Sequence, residues 1–435
     1  MRKSVKDVVV ALVVVAMLAG LVGVSLVVAA EEEPVAKPAS IEAYERLVAE
    51  LEGRPMEPPA GPIFKPLPAD AKDIVEGYDR LFERMQPLVD VFETQAGVDL
   101  GEPPHKWTEK DRAKIAEFLE TNEDLLSEMR RMADRGAPIY PLDFSEGFAM
   151  LLPHLAQSRK CSRVLRASAV LKGTNGDCAG SVEDIIAGMK LGDALAREPI
   201  LISQLVRMAI YGIMSSAVQN SFDGSDLSPE LTRRLMDQLA RADRRDDFAE
   251  AFAGEMYFGM KAFAALRAGD RSGLPAESDF GPPEEADEKA YVEILSRIGS
   301  AARLPYYEAA TEVTQITSDI ENMPETLAYS RQLLPALGRT CEAQARHEAT
   351  IDLMQIGLLV EQYKARTGSY PDTLDEVASS LGGSVPVDPF SGKGYRYRPL
   401  GTVFVLYSIS HNRIDDGGTH DYMKGDIVWR GEQEK

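Results

Sequence analysis

Apolar residues recur with a helical period through the middle of the chain. One face of a helix carries positions separated by three, four and seven residues. That spacing occurs at Val182, Ile185, Ile186 and Met189. The alternation of apolar and polar residues that is typical of strands is almost absent over this region. The pattern predicts an all-α domain over residues 70–340.

Local signals mark where some of these helices begin. Thr108 is followed three residues later by Asp111, the spacing of a capping box. Ser228 precedes Pro229, which combines an N-cap residue with proline in the first turn. A helix is therefore predicted to start at each of these two positions.

Two apolar runs are long enough to suggest a membrane span. The first covers residues 8–30, is preceded by Arg2, Lys3 and Lys6, and is followed by acidic residues. Its length and its flanking charges predict a membrane anchor with the N-terminus in the cytoplasm and the rest of the chain exported. A cleaved signal peptide is the alternative, since small residues close the run. Residues 31–69 follow as a proline-rich linker with a short helix.

The second apolar run is Pro199–Val218. It contains Gln204 and Arg207, and charged groups inside a bilayer are costly. We therefore interpret this run as a buried core helix of the all-α domain.

The C-terminal residues 341–435 change pattern. A long helix is predicted to begin near Pro324 or Gly338 and to end at Thr367, with Gly368 as its C-cap. Strands are predicted over Tyr395–Arg398, Val403–Ser408 and Asp426–Trp429. The chain is thus expected to be α+β and predominantly α-helical, with an N-terminal membrane helix, a central all-α domain, and a small C-terminal helix plus antiparallel sheet.

Composition narrows the function by exclusion. The formal net charge is -21, which repels nucleic acid, so no nucleic-acid partner is expected. Three cysteines are too few for a disulfide framework, and we interpret them as buried, unpaired thiols, with one disulfide and one free thiol in an oxidising compartment as the alternative. Nucleophile-elbow, P-loop and dinucleotide-binding motifs are absent from the sequence. No catalytic or cofactor-binding residue is predicted, and His154 is interpreted as a satisfied core histidine.

Four segments near the C-terminus follow one another in a recognisable order. They are Tyr363–Pro371 at the helix end, Asp388–Lys393, Tyr395–Tyr397, and Leu406–Ser408 with the loop that closes at Asp426, Ile427 and Trp429. This order resembles the globular head of type II secretion major pseudopilins. The resemblance implies a helix-plus-sheet head that contacts other proteins in the cell envelope or in secretion.

The resemblance also implies that calcium binds the loop at the end of the head. The loop offers five oxygen-bearing side chains of the kind that calcium prefers: Asn412, Asp415, Asp416, Asp421 and Asp426. An ordinary solvated acidic turn is the alternative interpretation of the same residues.

Two functions stay open on the sequence alone. The first is a membrane-anchored exported protein whose pseudopilin-like head has a structural or interaction role in the envelope. The second is an exported enzyme or ligand-binding protein whose site lies in a cleft of the helical domain.

Overall fold

The computed structural model describes residues 71–136, 140, 152–196, 198–222, 227–242, 245–270, 281–381, 383–419 and 425–430. The predicted membrane anchor (8–30), the predicted linker (31–69) and Asp421 lie outside these residues. Described residues are mainly helical, with one small antiparallel sheet. This agrees with the predicted balance of helix and strand.

Within the described residues, the helices are α1 (Ala71–Ala96), α2 (Glu109–Thr121), α3 (Glu123–Asp134), α4 (Pro153–Thr174), α5 (Cys178–Asp193), α6 (Leu201–Ser221), α7 (Pro229–Leu239), α8 (Arg245–Arg267), α9 (Glu285–Ala301), α10 (Tyr306–Glu321), α11 (Ala328–Leu337) and α12 (Thr340–Thr367). Short 3₁₀ turns cover Pro104–Lys106 and Leu374–Leu381. The strands are β1 (Arg396–Leu400), β2 (Val403–Ser408) and β3 (Ile427–Arg430).

The predicted helix starts are confirmed. The Thr108 hydroxyl accepts a hydrogen bond from the Asp111 amide at 3.2 Å, and the Asp111 carboxylate accepts one from the Thr108 amide at 3.0 Å. The Ser228 hydroxyl accepts a bond from the Leu231 amide at 3.3 Å. Each bond satisfies a backbone donor that has no partner within its helix.

Helix α6 occupies the second apolar run. It is long and apolar enough to cross a bilayer, but 61% of its most apolar window is buried inside the protein. It packs against α4, α5 and α12. Gln204 and Arg207 are buried there, and their side chains donate hydrogen bonds to the carbonyls of Ala196, after α5, and Ala242, after α7. The helix is thus part of the protein core, as its polar residues predict.

The sheet has the order β1-β2-β3 and both pairs are antiparallel. The predicted boundaries of the first strand are wrong, because it runs to Leu400 instead of ending at Arg398. Pro399 pairs opposite Phe404, which an edge strand tolerates because its outer side needs no amide donor. The turn falls at Gly401, and β3 forms where the third strand was predicted.

One hydrophobic core joins the C-terminal sheet to the central helices. Buried residues of α5, α6 and α7 belong to the same cluster as Ile356 on α12, Phe404 on β2 and Trp429 on β3. A second cluster lies among α1–α5, and a third joins α8–α11 to Leu201 and Met208 of α6 and to Cys341 of α12. The first hydrophobic cluster thus contains residues from both sides of residue 340. The predicted domain boundary at residue 340 stays a prediction.

The three cysteines form no disulfide. Cys161 and Cys341 are buried, and Cys178 is partly buried at the start of α5. Burial raises the pKa of the Cys161 and Cys341 thiols to about 12, so both stay protonated at neutral pH. These two thiols behave as small apolar side chains of the core.

Candidate functional site

The acidic loop leads from β2 to β3, and residues 409–419 and 425–426 of it are described. Gly417 and Gly418 both have positive φ angles, of 72° and 79°, which glycine adopts at low cost. These two glycines bend the chain so that the first acidic residues of the loop approach its closing residue, Asp426.

Asp415 is directed toward the sheet. Its Oδ2 atom accepts a hydrogen bond from Arg396 Nε at 2.9 Å, and its Oδ1 atom accepts bonds from the Tyr407 hydroxyl at 2.7 Å and the Gly417 amide at 3.2 Å. The hydrogen bond from Tyr407 is the main cause that lowers the Asp415 pKa, followed by the amide and the guanidinium. In this arrangement, Asp415 fastens the loop to β1 and β2.

Asn412 and Asp416 lie together at the exposed side of the loop. The Asn412 amide nitrogen donates to Asp416 Oδ2 at 3.1 Å, and Asn412 Oδ1 accepts from the Ile414 amide at 3.1 Å. The Asp416 carbonyl accepts a bond from the Thr419 hydroxyl at 2.9 Å. Both side chains therefore present oxygen atoms near the bend.

Asp426 is the buried member of the predicted set, with 1% of its surface exposed. Its Oδ2 atom accepts a bond from the Gly418 amide at 2.8 Å, whereas Oδ1 has no hydrogen-bond partner within the described residues. Burial raises the pKa of this carboxyl, and the nearby charges of Asp416 and Asp415 add to the effect. An orphaned carboxylate oxygen beside other acids fits a bound cation.

The five predicted ligands are thus distributed unevenly. Asn412, Asp416 and Asp426 approach one another, Asp415 turns to Arg396, and Asp421 lies outside the described residues. Across the part of the chain that is described, no three His, Cys, Asp or Glu side chains form a ready metal-binding group.

A second carboxylate organises the turn before β1. Asp388 is buried and accepts hydrogen bonds from the Phe390 amide at 3.0 Å, the Ser391 hydroxyl at 3.0 Å and the Ser408 hydroxyl at 2.8 Å. The carbonyl of the next residue, Pro389, accepts a bond from the Tyr307 amide at 2.9 Å. The turn is therefore fixed both to β2 and to the first turn of α10.

A cleft of about 230 Å³ opens beside this turn, between α10, α12 and the start of α8. Its walls are mainly apolar and include three prolines, of which Pro386 and Pro389 belong to the turn and Pro305 precedes α10. Tyr307 and Val387 stand at its edge. Sequence reasoning did not find this cleft, because its walls come from segments far apart in the chain.

The floor of the cleft carries charged groups with defined partners. Arg245 binds Glu348 through two hydrogen bonds, from Nε at 2.9 Å and from Nη2 at 2.8 Å. One turn further along α12, Asp352 Oδ2 accepts a bond from the Tyr395 hydroxyl at 2.6 Å. The Tyr395 pKa is raised well above its usual value, first by burial and then by Asp352. These bonds fix the two carboxylates in place.

His347 lines the inner end of the same cleft and is buried. Its ring meets Tyr211 edge to face at a centroid distance of 5.2 Å. Neither ring nitrogen has a hydrogen-bond partner of good geometry within the described residues, although the Ala242 carbonyl is close enough to act on the ring. Burial, with the charge of Arg207, lowers the pKa of His347 to about 3, so the ring is neutral at pH 7.

Two other polar groups, partly buried Asp193 and buried His154, have partners among the helices. Asp193 accepts hydrogen bonds from Tyr211 at 2.9 Å and Gln238 at 2.8 Å, which ties α5 to α6 and α7. His154 Nε2 lies 3.0 Å from Glu198, and the His154 ring stacks on Tyr140 at 3.9 Å. The interpretation of His154 as a satisfied core histidine is confirmed.

Comparisons of the chain with models of protein families, with curated proteins and with solved structures found no match.

Proposed function

We propose that this chain is a membrane-anchored, exported protein with a structural or interaction role in the cell envelope. Residues 8–30 would hold it in the membrane. The helical region and its C-terminal head, which resembles that of a pseudopilin, would face the exported side and contact other proteins.

The arrangement of elements in the C-terminal region carries this proposal. Helix α12 ends at Thr367, and Gly368 follows as its left-handed C-cap with a φ of 86°. The Asp388 turn and three antiparallel strands follow, and the acidic loop separates the last two strands. This order of elements agrees with what the resemblance to a pseudopilin head implies, and it supports the proposal.

We further propose that the acidic loop binds calcium. Asp416, Asp426 and the side-chain oxygen of Asn412 would supply ligands, and Asp421 would add another from the part of the loop outside the described residues. Calcium takes six to eight oxygen ligands in flexible geometry, which a loop with two glycines accommodates. Asp415 would position the loop through Arg396. The bound ion would offset the repulsion between buried Asp426 and its acidic neighbours.

A calcium titration of the full chain in detergent tests the site. Loop sites of exported proteins bind calcium with dissociation constants of about 0.1–1 mM, so 10 mM calcium should stabilise the protein by about 1.4–2.7 kcal/mol. The shift should vanish in Asp426→Asn and persist in Asp375→Asn, an exposed carboxylate outside the loop. Magnesium, which demands octahedral geometry, should give a smaller shift. An unchanged unfolding curve at 10 mM calcium would leave the loop as an ordinary acidic turn.

The interaction role needs a separate test in intact cells. Photo-crosslinking from exposed Ile414 of the acidic loop and from Val387 should trap an envelope protein or a second copy of the chain. A matched crosslinker at exposed Val91, on α1, should trap neither. Equal labelling from all three positions, or none, would count against an interaction role for the head.

The second candidate function is ligand binding or catalysis in a cleft. The cleft at His347, Glu348 and Asp352 favours this candidate, since it gathers two carboxylates and a neutral imidazole. Its volume is below the roughly 300–1,000 Å³ of pockets that enclose whole ligands, so the interaction role is preferred.

A further inference from the structure

The imidazole of His347 is a buried polar group in the lining of the cleft between α10 and α12. Its side chain has 5% of its surface exposed, and neither ring nitrogen has a hydrogen-bond partner of good geometry within the described residues. A neutral imidazole carries one N–H donor and one acceptor nitrogen. The nearby Ala242 carbonyl can only accept, so it satisfies the donor at most. Within the described residues, the acceptor nitrogen is thus left without a donor, which is costly for a buried group.

The charged side chains of the lining already have partners on the protein. Arg245 and Glu348 form their paired hydrogen bonds at 2.9 and 2.8 Å, and Asp352 accepts a bond from the Tyr395 hydroxyl at 2.6 Å. A charged occupant would lose its hydration in the cleft and would have to compete with these bonds for a counter-charge. The lining therefore favours a neutral occupant that donates one hydrogen bond to His347.

The volume and the walls of the cleft indicate an aromatic ring. An apolar cavity of about 150 Å³ is large enough to bind benzene. The cleft has about 230 Å³, which leaves room for one ring with a hydroxyl group and not for a second ring. Its walls contain rings and a branched apolar side chain against which an aromatic molecule packs: Pro305, Tyr307, Ile351, Pro386 and Pro389. A phenol-like molecule combines such a ring with a hydroxyl donor.

We propose that this cleft binds a small, neutral aromatic molecule that carries a hydroxyl group. The hydroxyl would donate a hydrogen bond to the acceptor nitrogen of His347, and the ring would pack against the prolines and Tyr307. The inference gives a ligand class to the second candidate function, ligand binding in a cleft. It does not depend on the envelope role, the acidic loop or calcium.

A titration of the full chain in detergent tests the proposal. Phenol is the probe, and toluene is its control, because a methyl group of similar size replaces the hydroxyl. The chain is isotope-labelled at the methyl groups of Ile and Val, and the signals of Ile351 and Val387 are followed by NMR, with the free concentration of each compound measured because both enter micelles. Phenol should shift both signals with a dissociation constant of about 1 mM or below. The signals of exposed Val91 on α1 should not move.

The ranking of the two compounds separates the hydrogen bond from apolar packing. Toluene leaves water more readily than phenol, so burial in an apolar cleft alone would rank toluene first. A hydrogen bond to His347 should reverse this ranking, and phenol should bind about threefold or more tightly than toluene. Toluene binding as tightly as phenol, shifts confined to residues outside the cleft, or no shift at about 10 mM phenol would each overturn the proposal. The last result would mean that the cleft holds water only.

Variants test the role of His347. His347→Phe keeps a flat ring and removes the acceptor, so the preference for phenol over toluene should disappear while toluene still binds. His105→Phe, at an exposed histidine outside the cleft, should keep the preference. Preference for phenol that survives in His347→Phe would contradict the proposal.

A rim variant tests the location even where His347→Phe fails to fold. Val387→Ser, at an exposed position, should weaken both compounds by about twofold or more when binding is followed at Ile351, and Val91→Ser should not. Wild-type affinity for phenol in Val387→Ser would exclude this cleft as the site.

The ligand proposal and the envelope proposal fail in different ways. If crosslinking from the head traps an envelope partner while phenol does not bind, the cleft inference is wrong and the interaction role stands. If phenol binds as expected while no partner is trapped in cells, ligand binding is the supported function and the envelope role is wrong.

Discussion

The contact between Gly357 on α12 and Trp429 on β3 gives the sharpest test of how the sheet is held to the helices. A Cβ atom at Gly357 would lie 2.2 Å from the indole Nε1 of Trp429 and 2.5 Å from Cε2. The indole is almost fully buried, so it has little freedom to move away. We therefore expect Gly357→Ala to force α12 and β3 apart.

The magnitude follows from two opposing effects. Overpacking a well-packed core costs about 1–3 kcal/mol, and contacts this short with ring atoms put Gly357→Ala near the upper end. Replacing glycine by alanine within a helix gains about 1 kcal/mol. The net expectation is a destabilisation of about 2 kcal/mol. Gly212→Ala in α6 is the matched control, because nothing lies within 4 Å of the added Cβ. It should be more stable than wild type by about 0.5–1 kcal/mol.

Urea unfolding followed by tryptophan fluorescence measures both variants. The chain has two tryptophans, so a Trp107→Phe background leaves Trp429 as the sole reporter of the sheet. The comparison requires that the slope of the unfolding free energy against urea concentration be the same in both variants. A Gly357→Ala protein that equals Gly212→Ala in its gain of stability would refute the claim that Trp429 anchors β3 to α12.

Three further predictions concern ionisable side chains that are buried or partly buried. Asp388→Ala should destabilise the chain by about 3 kcal/mol, because it removes the acceptor for three donors, including the Ser408 hydroxyl. A loss of less than about 1 kcal/mol in the free energy of unfolding, measured in urea, would contradict this expectation. Burial raises the pKa of Glu255 to about 7, above its unfolded value, so its contribution to stability is present at pH 5 and lost as the pH rises through 7. Between pH 5 and pH 8, the free energy of unfolding of the wild type should therefore fall by about 2 kcal/mol relative to that of Glu255→Gln, after allowance for a partly exposed side chain. A difference between the two proteins that does not change with pH would exclude a raised pKa at Glu255. The pKa of His347 is lowered to about 3, so its contribution to stability is present above pH 6.5 and is lost as the pH falls. From pH 7 toward pH 3, the free energy of unfolding of the wild type should fall by on the order of 4 kcal/mol relative to that of His347→Gln. Parallel curves of unfolding free energy against pH for the two proteins would be evidence against a buried neutral ring.

The sequence predicts those features that depend on neighbours along the chain. The capping residues Thr108 and Ser228 act through amides three residues away, and Gly368 through its own backbone angle. The period of Val182, Ile185 and Met189 in α5 follows from burial of one helical face. Each of these signals is local, so each predicted an element with nearly the observed boundaries.

The cleft and the orientation of Asp415 depend on residues that are distant in sequence. Arg245 reaches Glu348 from another helix, and no local pattern selects that pair from the other charges of the chain. Asp415 has a carboxylate of the kind that binds calcium, but the register of the strands brings Arg396 beside it. Only the folded arrangement distinguishes a carboxylate that fastens a loop from one, such as Asp426, that retains an oxygen without a partner.

Ser408 connects the two regions for which functions are proposed. Its hydroxyl donates to Asp388 at 2.8 Å and accepts from the Ser410 amide at 3.3 Å, at the point where β2 gives way to the acidic loop. Asp388 holds the turn whose neighbours Pro386, Val387 and Pro389 form one wall of the cleft. Because these bonds are buried, movement of either region would leave polar groups without partners, which is costly. The start of the acidic loop and the wall of the cleft are therefore linked through the buried hydrogen bonds of Ser408, so a change in one region is expected to disturb the other.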